Sequence, residues 1–180
     1  MEFAGSGCGC RARLRWLAGA TSAAAYEGPL ELAIHRFKYE GWRALAPVLA
    51  GLVADRLAAE APPDVLLVAV PLHRRRQRAR GYNQSELLAS ELRGRLGLAA
   101  APGRLVRVRD TPPQVGLDRL RRQANVADAF IWRGAALAGR PVVLVDDVAT
   151  TGATLDACAA AMRRAGSGPV RGCTVARVSV

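Results

Sequence analysis

Residues 142 to 154, Val-Val-Leu-Val-Asp-Asp-Val-Ala-Thr-Thr-Gly-Ala-Thr, constrain the fold more than any other part of this 180-residue chain. Four apolar, mostly β-branched residues run straight into two adjacent acids, Asp146 and Asp147. An unbroken apolar run predicts a strand buried on both faces, as in a parallel sheet, because a half-exposed strand would alternate. The small residues from Ala149 to Thr154 predict a loop whose backbone N–H groups an anion can approach, and a helical pattern follows. The first N–H groups of a helix lack partners within it, so its N-terminus favours an anion. Thr150, Thr151 and Thr154 add hydroxyl donors. Two carboxylates cannot serve a phosphate; they suit the vicinal hydroxyls of a sugar, or a divalent cation. An ordinary strand–turn–helix with an aspartate N-cap is the plain structural alternative.

The rest of the chain reads as strands alternating with helices. Pro29 suits the first turn of a helix whose Leu30, Ile34 and Phe37 share one face. A second helix is expected over 42–57, with Leu45, Leu49, Leu52 and Val53 as its core stripe, and a strand over 65–70, stopped by Pro71. Residues 74–80 hold a dense run of arginines, expected as a basic loop ending at Gly81. Asn83 reads as the cap of a further helix, with Glu86 completing a capping-box pattern and Leu88, Leu92 and Leu96 buried. Strands are expected over 105–108, 126–132 and 170–178, and a helix over 155–165. Residues 111–125 read as a basic loop or mobile arm. This order predicts an α/β fold with a mostly parallel central sheet flanked by helices, which binds ligands beyond the carboxyl ends of its strands. The expected division is a Gly/Ala/Arg-rich segment over 1–25 and one domain over 26–180.

The net charge of +11 comes from arginine, since Lys38 is the only lysine. A basic balance fits phosphorylated ligands, nucleic acid or an acidic partner, and equally a solvated basic surface. Cys158 and Cys173 read as small core residues, and no disulfide framework is indicated, so a reducing cytoplasm is expected. Cys8 and Cys10 form a lone Cys-x-Cys pair without the further ligands of a closed zinc site, so zinc is not expected. No apolar run is long enough to span a bilayer, and the stretch after Arg11, Arg13 and Arg15 is too weakly apolar for a signal peptide. There is no Gly-x-x-x-x-Gly-Lys-[Ser/Thr] motif, which argues against a helicase-type ATPase, and no complete dinucleotide fingerprint.

The segment 142–154 resembles the phosphoribosyl-diphosphate (PRPP) binding motif of the type I phosphoribosyltransferases. Three further stretches resemble one branch of that superfamily, the ComF family of competence proteins. They are Ile34 to Gly41, then Val70-Pro71-Leu72-His73 leading to Arg80-Gly81-Tyr82-Asn83-Gln84-Ser85, and Gln114-Val115-Gly116-Leu117 leading to Arg119, Arg122, Asn125-Val126 and Ala129-Phe130. Many ComF-like proteins begin with a four-cysteine zinc module, of which Cys8 and Cys10 are the candidate remnant.

The resemblance implies a type I phosphoribosyltransferase-like fold and assigns roles by position. Asp146 and Asp147 bind the ribose 2′- and 3′-hydroxyls, with Mg²⁺ arriving with PRPP. Val148, Ala149, Thr150, Thr151, Gly152, Ala153 and Thr154 belong to the 5′-phosphate loop. Pro71, Leu72 and His73 belong to the loop that contacts pyrophosphate, with Arg74, Arg75, Arg78 and Arg80 close in sequence; arginine forks suit phosphate oxygens. His73 is a candidate acid/base or pyrophosphate donor, besides an ordinary polar loop residue. Lys38 is a candidate functional cation or a partner of its helix's dipole. The implied ligands are PRPP or a related phosphorylated ribose and, through the family's link to natural transformation, single-stranded DNA and proteins of the competence machinery. A transferase, a strand-binding protein that keeps the PRPP fold, and a non-catalytic adaptor all remain consistent with these residues.

Overall fold

A computed structural model describes residues 14–62, 64–101, 103–109 and 128–178. Cys8, Cys10, the expected arm at 111–125 and the resembling stretch from Gln114 to Val126 lie outside them. In chain order the elements are β1 (Gly19–Ala25), α1 (Gly28–Tyr39), α2 (Ala46–Glu60), β2 (Leu66–Ala69), α3 (Arg74–Arg80), α4 (Gln84–Leu96), β3 (Gly103–Arg107), β4 (Phe130–Gly134), β5 (Val142–Ala149), α5 (Ala153–Arg164) and β6 (Val170–Arg177).

The central sheet has the order β1-β6-β5-β2, and its neighbouring strands are parallel. Its inner strands are apolar on both sides because helices cover both faces. Leu66, Val68, Val142 and Leu144 pack with Leu155, Cys158, Ala159 and Met162 of α5 on one face. Leu67, Val143, Val145 and Cys173 pack on the other with Ile34 and Phe37 of α1, Leu49, Val53 and Leu57 of α2, and Leu88 and Leu92 of α4. Each fully buried aliphatic or aromatic side chain contributes roughly 1.5–3 kcal/mol, so these two layers hold the sheet rigid under the site.

Four expectations are corrected. Residues 74–80 are a helix, not a loop: the His73 imidazole accepts from Arg75 N–H at its start, and Gly81 closes its end in the left-handed conformation at φ 82°. The region after Trp42 begins with a short 3₁₀ turn over Arg43–Leu45, and α2 starts only at Ala46 with Pro47 in its first turn. Leu52 is 52% exposed and lies off the core stripe. The strand-like runs β3 and β4 pair antiparallel in a separate two-stranded ribbon instead of extending the parallel sheet.

The expected boundary at residue 26 falls just after β1, which forms a full edge strand of the central sheet beside β6. Its Thr21 and Ser22 are buried, donating to Glu60 and sharing a hydrogen bond with Thr174. A strand built of Gly, Ala, Thr and Ser carries too little apolar signal to stand out in sequence. Among the described residues no helix is long and apolar enough to cross a membrane.

Candidate functional site

The site forms where β2 and β5 end side by side. Ala69 pairs with Val145, and Val70 N–H donates to the Val145 carbonyl at 2.9 Å. The chain leaving β2 through Pro71, Leu72 and His73 therefore departs beside Asp146, while β5 continues along β6 to Ala149. On a regular strand adjacent side chains point to opposite faces. Asp146 and Asp147 nevertheless both reach partners in the layer of α1 and α4. Ser85 Oγ, in the first turn of α4, donates to Asp146 Oδ1 at 2.8 Å, and Lys38 Nζ, near the end of α1, lies 3.0 Å from Asp147 Oδ1. Just beyond them the packing phase has changed, for Val148 joins the α1/α2/α4 layer and Ala149 the α5 layer.

Local capping fixes these partners. Asn83 caps α4 by accepting from Ser85 N–H at 3.1 Å, and its amide donates to the Val70 carbonyl at 3.1 Å. One buried side chain thus ties the end of β2 to the helix that presents Ser85. Tyr82 donates its hydroxyl to the Phe37 carbonyl and packs against the Phe37 ring, which locks α1 and Lys38 against the start of α4.

Asp146 is half-buried and Asp147 buried. Burial, and then the neighbouring charge of Asp147, push Asp146 up to about 7, against the pull of Lys38, the Ser85 hydroxyl and the Asp147 N–H. Burial alone would lower Lys38, but the attraction of Asp147 and Asp146 outweighs it and raises Lys38 above its usual value. Asp147 Oδ2 is buried without a hydrogen-bond partner among the described residues. An orphaned buried carboxylate oxygen is costly, and it is an acceptor ready for a hydroxyl or a cation.

The hydroxyl-rich loop follows β5 directly. Gly152 heads α5 at φ 78°, a conformation that a side chain strains, and a Cβ there would lie 3.2 Å from Leu14 Cδ1. Ala153 N–H donates to Thr151 Oγ1 at 3.4 Å. Asp156, in the first turn of α5, accepts from Trp16 N–H at 2.8 Å and Leu17 N–H at 2.9 Å. The segment before β1 therefore braces the loop from outside. Thr150 and Thr151 are half-buried, Gly152 and Ala153 buried.

The residues expected after β2 divide between different settings. His73 is the N-cap of α3, its Nδ1 accepting from Arg75 N–H at 3.4 Å, and its backbone forms an isolated parallel β-bridge with Arg107. Arg74 and Arg75 are exposed, and Arg74 lines a shallow cleft with Gln77, Arg78 and Gly81. The other side of α3 turns Arg76, Ala79 and Arg80 toward Lys38, Tyr39 and Gly41, around a cleft of about 410 Å³. Sequence reasoning did not single out Ser85, Arg76 or Tyr39 for the site. Tyr39 and Ser85 lie in stretches that carry the family resemblance, and Arg76 and Arg80 are i, i+4, so once 74–80 is a helix they share a face.

Among the described residues no group of three or more His, Cys, Asp or Glu is placed to hold a metal ion. Cys158 and Cys173 are free and buried, and burial raises both thiols, Cys173 to about 12.

A parallel sheet flanked by helices, with paired acids at the end of β5 and a hydroxyl-rich loop and glycine-headed helix beyond them, defines an α/β protein with its candidate ligand site at the carboxyl ends of its strands. The chain is 35% identical over 155 residues to the DNA utilization protein YhgH of Salmonella typhi, covering 83% of this chain and 68% of that protein. It is 34% identical over 156 residues to YhgH of Escherichia coli K12, again covering 83% and 68%. It is 35% identical over 148 residues to competence protein F of Haemophilus influenzae, covering 78% of this chain and 65% of that protein. The chain belongs to the ComF family. No family model matches it. Among solved structures it is similar to a purine phosphoribosyltransferase from Pyrococcus horikoshii, at 21% identity and TM-score 0.46 over 77% of this chain and 78% of that one. It is also similar to the protein TT1426 from Thermus thermophilus, at 21% identity and TM-score 0.42 over 74% and 83%.

Proposed function

We propose that this protein binds PRPP, or a closely related phosphorylated ribose, together with Mg²⁺. The observation that carries the reading is the acid pair at the end of β5. Asp146 is held by Ser85, and Asp147 keeps one buried oxygen, Oδ2, without a donor among the described residues. That oxygen fits a ribose hydroxyl or a cation. Asp146 and Asp147 take the 2′- and 3′-hydroxyls, or hold Mg²⁺ when it arrives with the ligand. The loop from Val148 to Thr154 takes the 5′-phosphate at the head of α5, where the helix dipole favours an anion. Mg²⁺ bound with the diphosphate supplies neutralisation of the charge that grows on a leaving group. Asp146 and Asp147 orient the sugar, and His73 lies at the neighbouring strand end. This arrangement suits transfer of a ribose-phosphate unit to an acceptor, with catalysis by positioning and charge stabilisation.

Calorimetry with PRPP and Mg²⁺ tests the reading, comparing the wild type with the Asp146→Asn/Asp147→Asn variant. Saturable binding that the variant loses supports it, and absence of binding to the folded wild type overturns it.

A second reading, single-stranded DNA binding, is favoured by the exposed Arg74, Arg75 and Arg78 on α3, together with the relatives named for DNA utilization and competence. Exposed guanidinium groups neutralise strand phosphates, so the affinity should fall steeply with added salt. Absence of strand binding at low salt removes this reading. Either ligand fits a cellular role in DNA utilization or natural transformation alongside other proteins of that machinery.

A further inference from the structure

Lys38 belongs to two settings at once. Its Nζ lies 3.0 Å from Asp147 Oδ1, with its side chain 18% exposed and that of Asp147 3% exposed. The same residue lines the cleft between α1 and α3 with Arg76 and Arg80. Arg80 is held in place there, its guanidinium 5.1 Å from the Tyr39 ring centroid and donating to Gln84. The described lining includes Lys38, Arg76 and Arg80 and no acid. Such a concentration of positive charge selects a phosphate-bearing anion. A lysine is a point charge on a flexible four-carbon stem, so it can change partners by rotating its side chain, without backbone movement.

We infer that Lys38 is an exchangeable cation: it neutralises Asp147 in the ligand-free protein and is drawn to a phosphate-bearing anion bound in the cleft with Arg76 and Arg80, which frees the Asp147 carboxylate. The inference rests on reading Asp147 as an acceptor for ribose hydroxyls or a cation. Filling the cleft then prepares the acid pair, and by linkage occupation of the acid pair favours the anion. The phosphate group belongs either to the diphosphate of a donor such as PRPP or to a phosphorylated acceptor such as a nucleotide. The structure assigns the cleft to that shared chemistry, on the face of α3 opposite Arg74.

Lys38 is the only lysine in the chain, so lysine labelled with ¹³C and ¹⁵N reports on this one side chain. The full chain is titrated in metal-free buffer with pyrophosphate and, separately, with a nucleoside 5′-monophosphate. The single lysine resonance is expected to shift and saturate with one or both; the anion that acts at lower concentration identifies the source. Arg76→Gln should raise the half-saturating concentration about tenfold, while Arg104→Gln, an exposed arginine on β3, should leave it unchanged. Asp147→Asn should shift the lysine resonance before any anion is added and tighten pyrophosphate binding about fivefold or more, because no ion pair has to be broken. A wild-type lysine resonance that neither anion moves overturns the inference, whatever the fold of the variants. So does a shift that Arg76→Gln leaves unaffected. Neither arm contains metal and the pyrophosphate arm contains no ribose, so that arm is independent of whether Mg²⁺ and PRPP bind at the acid pair.

Discussion

The two charged segments at the ends of β5 and β2 differ in what their charge density means. After β5, two carboxylates are drawn into the sheet layer, and their neighbours can be named: Ser85 for Asp146 and Lys38 for Asp147. After β2, five arginines lie within seven residues, and three of them, Arg74, Arg75 and Arg78, are exposed. Taking a charge out of water is costly without a partner, whereas an exposed arginine costs little and contributes little. Charge that the fold has buried therefore marks the site more reliably than charge that is merely abundant. On α3 only the face turned toward Lys38 joins it.

The largest test of this contrast is at the acids. Replacing both, Asp146→Asn/Asp147→Asn, should weaken binding of Mg²⁺ and PRPP by about 100-fold or more, as expected when hydrogen bonds to charged groups are lost together. Arg74→Gln/Arg75→Gln should change the same calorimetric constant far less. An arginine effect as large as the aspartate effect would reverse the comparison.

Next comes the cation between the two regions. Lys38→Met should destabilise the protein by about 3 kcal/mol in urea unfolding, because it leaves Asp147 buried without its counter-charge. Arg74→Gln should stay within about 0.5 kcal/mol, as an exposed substitution away from special features does. Between these lies Gly152→Ala, expected to cost about 1 kcal/mol or more through its positive φ and the contact with Leu14, and to weaken ligand binding by displacing the loop.

The pH dependence separates the regions more finely. Asp146 is raised from 3.8 to about 7, so folding favours its protonated form. Its contribution to stability is complete below about pH 4 and is lost as pH rises through about 7, whereas affinity for a cation or for Mg²⁺ with PRPP should increase over the same upper range. Calorimetry at about pH 6 and about pH 8 should show tighter binding at the higher value, and Ser85→Ala should move the transition upward by removing a hydrogen bond to the carboxylate. A binding constant that does not change between these values would mean that Asp146 is already ionised.

Much of this architecture was legible in the chain. The run from Val142 into Asp146 and Asp147, the loop and the helix after it all depend on neighbouring residues, and propensity and period report those directly. The same holds for Asn83 as a helix cap and for Pro29 at a first turn. The arginine run hid a helix because its ends are set by a histidine cap and a left-handed glycine, and the charge drew the eye from both. Strand β1 was hidden because its Gly, Ala, Thr and Ser residues are ordered by pairing with β6, not by apolar content.

The sequence alone determined the buried strand, the adjacent acids, the loop that follows them and the helix after it, but not β1 or α3. Tertiary structure decided that both acids meet partners in one helical layer, that Lys38 reaches Asp147 from α1, and that Arg76 and Arg80, not Arg74 and Arg75, share its cleft. The reason is physical. A residue's own neighbours fix its local conformation, but which charge is buried against which depends on how helices distant in sequence pack across the sheet, and no single-chain period encodes that pairing.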